Sequence, residues 1–129
     1  MCGAAVSWGM KKQQSIALFT MEAEIMAGSL AACEAVWLRN ILSELGFPPP
    51  GPTVIRMDNA AAIDLSHDPV NHASSKHIHR RELFIRDLVL DKIVKPLYIK
   101  TSENTSDIFT KTLPRKVFQK HRAALLGLD

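Results

Sequence analysis

Three carboxylates stand where predicted helices and strands begin or end, and carboxylates at such positions can hold metal ions. Asp58 follows the apolar segment 53–57, whose β-branched and apolar residues predict a short buried strand. Glu24 lies near the start of a long predicted helix, and Asp107 lies near the start of a late one. Carboxylates from separate elements repel one another unless cations lie between them, and hard oxygen ligands favour Mg²⁺. The alternative is that Asp58 only caps the helix that follows it.

The elements that must position these carboxylates follow a predicted α/β order. A helix is predicted from Thr20, its N-cap, to about Leu45, because Gly46 and three prolines end the pattern. Pro96 lies inside the last strand and predicts an edge position or a bulge there. The remaining predicted elements are strands at 4–8, 15–18, 53–58 and 93–99 and helices at 59–65, 75–90, 106–109 and 115–126.

Two rows of residues on the long helix could face a sheet. Spacings of three and four residues predict a core-facing stripe of large side chains. This stripe consists of Met26, Leu30, Cys33, Trp37 and Ile41. In a second row, one acid is followed by small residues. The small residues would let the helix lie close to a sheet, and the acid would then lie near the sheet's edge. This row consists of Glu24, Gly28, Ala31 and Ala35.

Composition predicts one intracellular domain covering residues 1–129. The chain is 47% hydrophobic and 22% charged, and no apolar run approaches the roughly 20 residues of a membrane span. Its two cysteines are too few for a disulfide framework, and the N-terminus does not resemble a signal peptide, so we expect no secretion. Residues 71–122 hold twelve Lys and Arg against five acids, whereas residues 1–70 hold four against seven. This asymmetry suits either a polyanion-binding surface or a solvated helix face.

Distinctive motifs, taken in order, resemble the ribonuclease H region of copia-type retrotransposon polyproteins. They extend from about Ala4 to Leu128 with spacing close to that of the family. The motifs are Ser7-Trp8, Lys11-Lys12-Gln13, Thr20-Met21-Glu22-Ala23-Glu24-Ile25-Met26-Ala27, Ala35-Val36-Trp37-Leu38-Arg39, Asp58-Asn59-Ala60-Ala61-Ala62-Ile63, Lys76-His77-Ile78 and Asp107-Ile108-Phe109-Thr110-Lys111.

The resemblance implies a ribonuclease H-like mixed sheet flanked by helices, and hydrolysis of the RNA strand of RNA–DNA hybrids with two Mg²⁺ ions, or Mn²⁺ in their place. Glu24, Asp58 and Asp107 then occupy the positions of catalytic metal ligands. Glu24 is preferred to Glu22 because it matches the family's Glu-x-Met-Ala pattern, while Glu22 suits the first helical turn. The expected partners are the hybrid and an upstream reverse transcriptase segment. The residues expected to contact nucleic acid are Lys76, Arg80, Arg81, Lys111, Arg115 and Lys116.

The sequence also departs from the family. The resemblance implies a chain that lacks the first two strands, together with an Asp on the first, so impaired activity is expected. The loop 101–106 has no His, and His79 stands where the family commonly has an acid. The alternative is an inactive remnant that at most binds nucleic acid. His67, His72, His77 and His79 are interpreted as a surface cluster and not a zinc site. Trp8, Trp37 and Phe109 are predicted to lie in the core, with a role as platforms on which bases stack as the alternative.

Overall fold

The structure is a computed structural model that describes residues 3–10, 20–60, 63–64 and 76–128. Its regular elements confirm the predicted α/β class. The helices are α1 (Thr20–Glu44), α2 (Lys76–Leu90) and α3 (Arg115–Leu126), the strands are β1 (Thr53–Met57) and β2 (Val94–Tyr98), and two short 3₁₀ helices span Thr101–Glu103 and Thr105–Phe109.

The chain divides into two compact units. Unit A, Ala17–Ile99, contains α1, β1, α2 and β2. Unit B combines Met1–Ile16 with Lys100–Asp129 and contains the 3₁₀ helices and α3. The single domain expected from composition stays a prediction.

The sheet of unit A consists of β1 and β2, which pair in parallel with Ile55 opposite Pro96. The Thr53 amide donates to the Ile93 carbonyl, and the Ile99 amide donates to the Met57 carbonyl, each at 2.9 Å. Because alternate residues of a parallel strand bond the same neighbour, the Pro96 nitrogen faces away from β1. The proline therefore removes no bond from the ladder, and its predicted edge position is confirmed.

The core of unit A lies on one face of this sheet, between the strands and both helices. Ile25 and Met26 of α1 pack with Met57 and Ile85, and a second cluster joins Ala32 and Ala35 to Leu88 and Val94. The predicted stripe of large residues on α1 is therefore wrong for Leu30, Cys33 and Trp37. Leu30 and Trp37 are 46% and 56% exposed, and Cys33 is exposed as well. Close packing against β1 and α2 turns Gly28, Ala32 and Ala35 inward, whereas Ala31 of the predicted small row is exposed.

The ends of two helices follow the predicted signals. Gly46 follows α1 with φ +84°, and Gly127 follows α3 with φ +64°, a left-handed conformation that costs glycine little. The Phe47 amide donates to the Leu42 carbonyl at 2.8 Å, and the Leu128 amide donates to the Ala123 carbonyl at 3.0 Å. These bonds satisfy carbonyls that a helix end leaves without intrahelical partners.

Two other predictions need correction or lie outside the described residues. The segment 4–8 forms no strand; instead the Ala5 amide donates to the Leu125 carbonyl at 2.9 Å, and Trp8 is 70% exposed. Residues 106–109, predicted to open a helix, lie in the 3₁₀ helix Thr105–Phe109. Residues 15–18, residues 61, 62 and 65 of the predicted helix 59–65, and the histidines at 67 and 72 lie outside the described part of the chain, as do the side chains of His77 and His79.

One described helix satisfies the length and composition expected of a membrane span. Met21–Glu44 has a mean hydropathy of 1.3 over its most apolar window and lies near the N-terminus. The core helix of a soluble protein meets the same test. Ile25, Met26 and Ala32 are almost fully buried against β1, α2 and β2, although only 33% of that window is buried.

Candidate functional site

Helix α1 runs antiparallel to β1, and two contacts fix this direction. Near the end of α1, Arg39 Nη1 donates to the Gly51 carbonyl at 2.7 Å and to Thr53 Oγ1 at 3.1 Å. Nearer its start, Gly28 lies against Met57, the last residue of β1. A Cβ on Gly28 would be 3.0 Å from Met57 Cε, so glycine permits the close approach of helix and strand.

This direction places Glu24 and Asp58 at the same end of β1. Glu24 precedes Gly28 by four residues, or about 6 Å along the helix, on the same side. Gly28 already contacts the side chain of the last residue of β1, so Glu24 lies toward the strand's carboxyl end. Asp58 follows that end directly, and both residues are half-buried. At Gly28, the small-residue row predicted on α1 therefore lets the helix lie close to the strand, as expected.

Glu22 has a different environment from Glu24. It lies in the first turn of α1, as predicted, and it is 6% exposed. An acid in the first turn is favoured by the positive end of the helix dipole. Its place on the buried face among Ile25 and Met26 fits a role in packing α1, whereas Glu24 lies on the Gly28 side.

Asp107 belongs to unit B, where it is fixed by a capped 3₁₀ helix. Asn104 is the N-cap, and its Oδ1 accepts from the Ser106 amide at 3.3 Å and from Ser106 Oγ at 2.7 Å. The Asp107 carbonyl accepts from the amides of Thr110 and Lys111 at 3.1 and 2.9 Å. The residue is 7% exposed, so its carboxylate is largely shielded from water.

The Asp107 carboxylate has a cation beside it. Lys111 Nζ lies 2.8 Å from Asp107 Oδ2, and the two side chains are 49% and 10% exposed, respectively. A buried carboxylate is costly without a partner, and the ammonium offsets that cost. The pairing was not predicted, although an acid and a lysine four residues apart in Asp107-Ile108-Phe109-Thr110-Lys111 signal it.

Helix α3 is joined to the same region of unit B by two side-chain pairs. His121, only 2% exposed, lies with Nδ1 3.3 Å from Thr105 Oγ1. Lys120 forms a hydrogen-bonded ion pair with Glu103. The Lys120 hydrogen bond and charge lower the pKa of Glu103 from its ordinary value. The buried His121 was not singled out from the sequence, but its spacing of four from Val117 marks the inner side of α3.

The donor types suit a hard divalent cation, and the fit differs between the two units. In unit A, Glu24 and Asp58 offer two carboxylates at one strand end. In unit B, the Asp107 carboxylate already has a positive charge beside it, because the Lys111 ammonium lies 2.8 Å away. The ammonium takes the place that a metal ion would have. Within the described residues, no three His, Cys, Asp or Glu side chains come together to hold a metal ion. Carboxylate oxygens are the donors that Mg²⁺ prefers, so each residue fits this ion by its chemistry.

The six predicted nucleic-acid contacts differ in their surroundings. Arg80 is exposed on α2, whereas Arg81 is half-buried and its Nη1 donates to Ser29 Oγ of α1 at 3.0 Å. Arg115 and Lys116 are exposed in the first turn of α3. Lys111 is engaged with Asp107, and Lys76 begins α2 with its side chain outside the described part of the structure.

The aromatic residues predicted to be core are exposed instead. Trp8 is 70% exposed and Phe109 is 36% exposed, both in unit B. Trp37 of α1 is 56% exposed. The core prediction is therefore wrong for these three residues. Exposed aromatic faces beside basic residues can stack on unpaired bases, which was the alternative for these side chains.

An α/β unit with two carboxylates at one strand end defines the class of protein only broadly. Comparison with known proteins narrows the range of classes. The homologues of this chain are retrovirus-related Pol polyproteins from transposons. No protein-family model matches the chain, and no solved structure matches it.

Three of these homologues come from plants. The polyprotein from transposon TNT 1-94 of Nicotiana tabacum is 42% identical over 117 residues, covering 91% of this chain and 9% of the polyprotein. Those from transposons RE2 and RE1 of Arabidopsis thaliana are each 34% identical over 114 residues, covering 88% of this chain and 8% of the polyprotein. The chain thus spans less than a tenth of the length of these relatives, in which the corresponding region is joined to other segments.

Proposed function

We propose that this chain is the ribonuclease H-type domain of a copia-type Pol polyprotein and hydrolyses the RNA strand of RNA–DNA hybrids. The observation that carries the proposal is the antiparallel course of α1 along β1, which brings Glu24 to the strand end followed by Asp58. These are two of the three residues that match the family's metal-ligand motifs. The similarity to Pol polyproteins along about nine-tenths of the chain supports the assignment independently.

In this function, Glu24, Asp58 and Asp107 would hold two Mg²⁺ ions, or Mn²⁺ in their place. The ions would supply Lewis-acid stabilisation of the phosphodiester and a more acidic water. The chain's own residues fix the acceptors: Gly28 sets the distance between the Glu24 helix and β1, and the Asn104 cap holds the turn of Asp107. The polyprotein would supply further partners, including an upstream reverse transcriptase segment.

The basic residues between 76 and 122 would hold the phosphate backbone of the hybrid. Arg80, Arg115 and Lys116 are exposed and can reach phosphates, whereas Arg81 already donates to Ser29. Such contacts release counterions, so binding should weaken steeply with salt. Exposed Trp8 and Phe109 in unit B add aromatic surface of the kind that stacks on bases.

A second candidate is a remnant that binds nucleic acid without cleaving it. It is favoured by the ion pair between Asp107 and Lys111, and by the absence of any three-ligand metal group among the residues that the structure describes. The two candidates differ in whether cleavage, and not binding, depends on Glu24 and Asp58.

The test is cleavage of a labelled RNA–DNA hybrid with Mg²⁺, by this chain and by a version extended upstream with the family's first two strands. We expect EDTA-sensitive cleavage by the extended version that is abolished by Asp58→Asn and by Glu24→Gln. The matched controls are Asp91→Asn and Glu44→Gln, exposed acids of unit A away from this strand end, which should leave cleavage unchanged. Hybrid binding without cleavage by both versions would establish the remnant, and cleavage indifferent to both Asp58→Asn and Glu24→Gln would refute the site.

A further inference from the structure

Lys111 lies in a position that conflicts with a simple role in phosphate binding. Its ammonium is 2.8 Å from Asp107 Oδ2, and Asp107 is the less exposed partner of the pair. A lysine that neutralises a shielded carboxylate is not free to neutralise a phosphate at the same time. Lys111, which was expected to neutralise a phosphate, therefore neutralises the Asp107 carboxylate instead.

We propose that Lys111 is a built-in counter-ion that competes with a divalent cation for Asp107. The inference rests on the proposed function only in so far as Asp107 accepts a metal ion. Without the metal, the ammonium keeps the carboxylate paired and ordered. When a divalent cation binds Asp107, it and the ammonium repel each other at short range. Lys111 must then withdraw from Oδ2, and the energy of the lost ion pair lowers the metal affinity.

The geometry of the pair permits this exchange. Both residues lie within unit B, four positions apart, at the end of one capped 3₁₀ helix. The Lys111 side chain is 49% exposed, so its ammonium can withdraw into water while its backbone amide stays bonded to the Asp107 carbonyl at 2.9 Å. Asp107 is held in place by the helix whose N-cap is Asn104, so the acceptor stays fixed while the cation beside it changes.

The same unit contains a matched ion pair for comparison. Lys120 pairs with Glu103, but these side chains are 57% and 50% exposed, respectively. Glu103 is therefore solvated whether or not Lys120 is present. Removal of Lys120 should leave metal binding unchanged, while removal of Lys111 should strengthen it.

The experiment measures Mn²⁺ binding to the full chain by electron paramagnetic resonance and thermal unfolding with and without Mg²⁺. Lys111→Met should bind Mn²⁺ about 3- to 30-fold more tightly than the wild type, since one neighbouring positive charge is removed. Without metal, the variant should unfold at a lower temperature because Asp107 loses its partner, and Mg²⁺ should raise that temperature more than in the wild type. Asp107→Asn, added to Lys111→Met, should abolish the gain in affinity.

Several outcomes separate this inference from the proposed ribonuclease activity. Equal Mn²⁺ affinity of the wild type, Lys111→Met and Lys120→Met would overturn the counter-ion role, whatever the cleavage assay shows. A gain in affinity that depends on Asp107 would support it even if neither version of the chain cleaved a hybrid. If Lys111→Met failed to fold, Lys111→Gln and the charge-preserving Lys111→Arg would be compared, and only Lys111→Gln should bind Mn²⁺ more tightly.

Discussion

Gly28 and Met57 are in contact where α1 crosses the carboxyl end of β1, and a Cβ at position 28 would lie 3.0 Å from Met57 Cε. The contact involves the far end of a flexible side chain, so it can yield at some cost. It also determines how near the Glu24 side of α1 comes to Asp58. The spacing of α1 from β1 at this end therefore depends on the size of two residues that perform no chemistry.

The first prediction concerns the coupling between these two residues. In the wild type, Gly28→Ala gains about 1 kcal/mol of helix propensity but must displace Met57 Cε, so its net effect on the free energy of unfolding should be small. In a Met57→Ala background the obstacle is gone, and the same change should stabilise by about 1 kcal/mol. Urea denaturation of the four proteins measures the coupling, and strict additivity would show that the contact carries no energy.

The second prediction tests which side of α1 is buried. Ile25 is 1% exposed and Leu30 is 46% exposed on the same helix. Ile25→Ala should therefore cost about 2–5 kcal/mol of unfolding free energy, because it opens a cavity in the core. Leu30→Ala should cost less than about 1 kcal/mol. Chemical denaturation measures both, and equal losses would restore the stripe of large residues as the core face.

The sequence predicts the elements better than the side of α1 that faces inward. Gly46, Pro96 and Gly127 signal a helix end, an edge strand and a second helix end through backbone chemistry that does not depend on distant residues. The orientation of α1 depends on its neighbours. Apolar residues occur on several sides of this helix, so spacing alone favoured the row containing Trp37. The close approach of β1, visible only in the fold, turned Gly28 and Ala32 inward instead.

Prediction from sequence has the same limit at the candidate site, because contacts between distant residues appear only in the fold. Motifs predicted Glu24 and Asp58, and the antiparallel course of α1 brings them to one end of β1. The spacing of Asp107 and Lys111 signals an ion pair, but it does not reveal that Asp107 is buried, so the sequence predicts phosphate binding for Lys111 instead. Arg81 was assigned in the same way, although its guanidinium also joins α2 to Ser29 of α1.

The last prediction concerns how nucleic acid is held. Arg115 and Lys116 are exposed at the start of α3 within the basic part of the chain, where a phosphate would meet both side chains and the positive end of the helix dipole. Hybrid affinity should fall steeply between about 50 and 200 mM salt, because each phosphate contact releases counterions. Replacing both residues by alanine should weaken binding and reduce the slope of log affinity against log salt by about 1 per lost contact.

Arg56→Ala, which replaces an exposed arginine outside residues 76–122, is the control and should leave the slope unchanged. Fluorescence anisotropy of a labelled hybrid over a salt series measures all three proteins, and the same slope in the double variant as in the wild type would exclude these residues from the phosphate contacts.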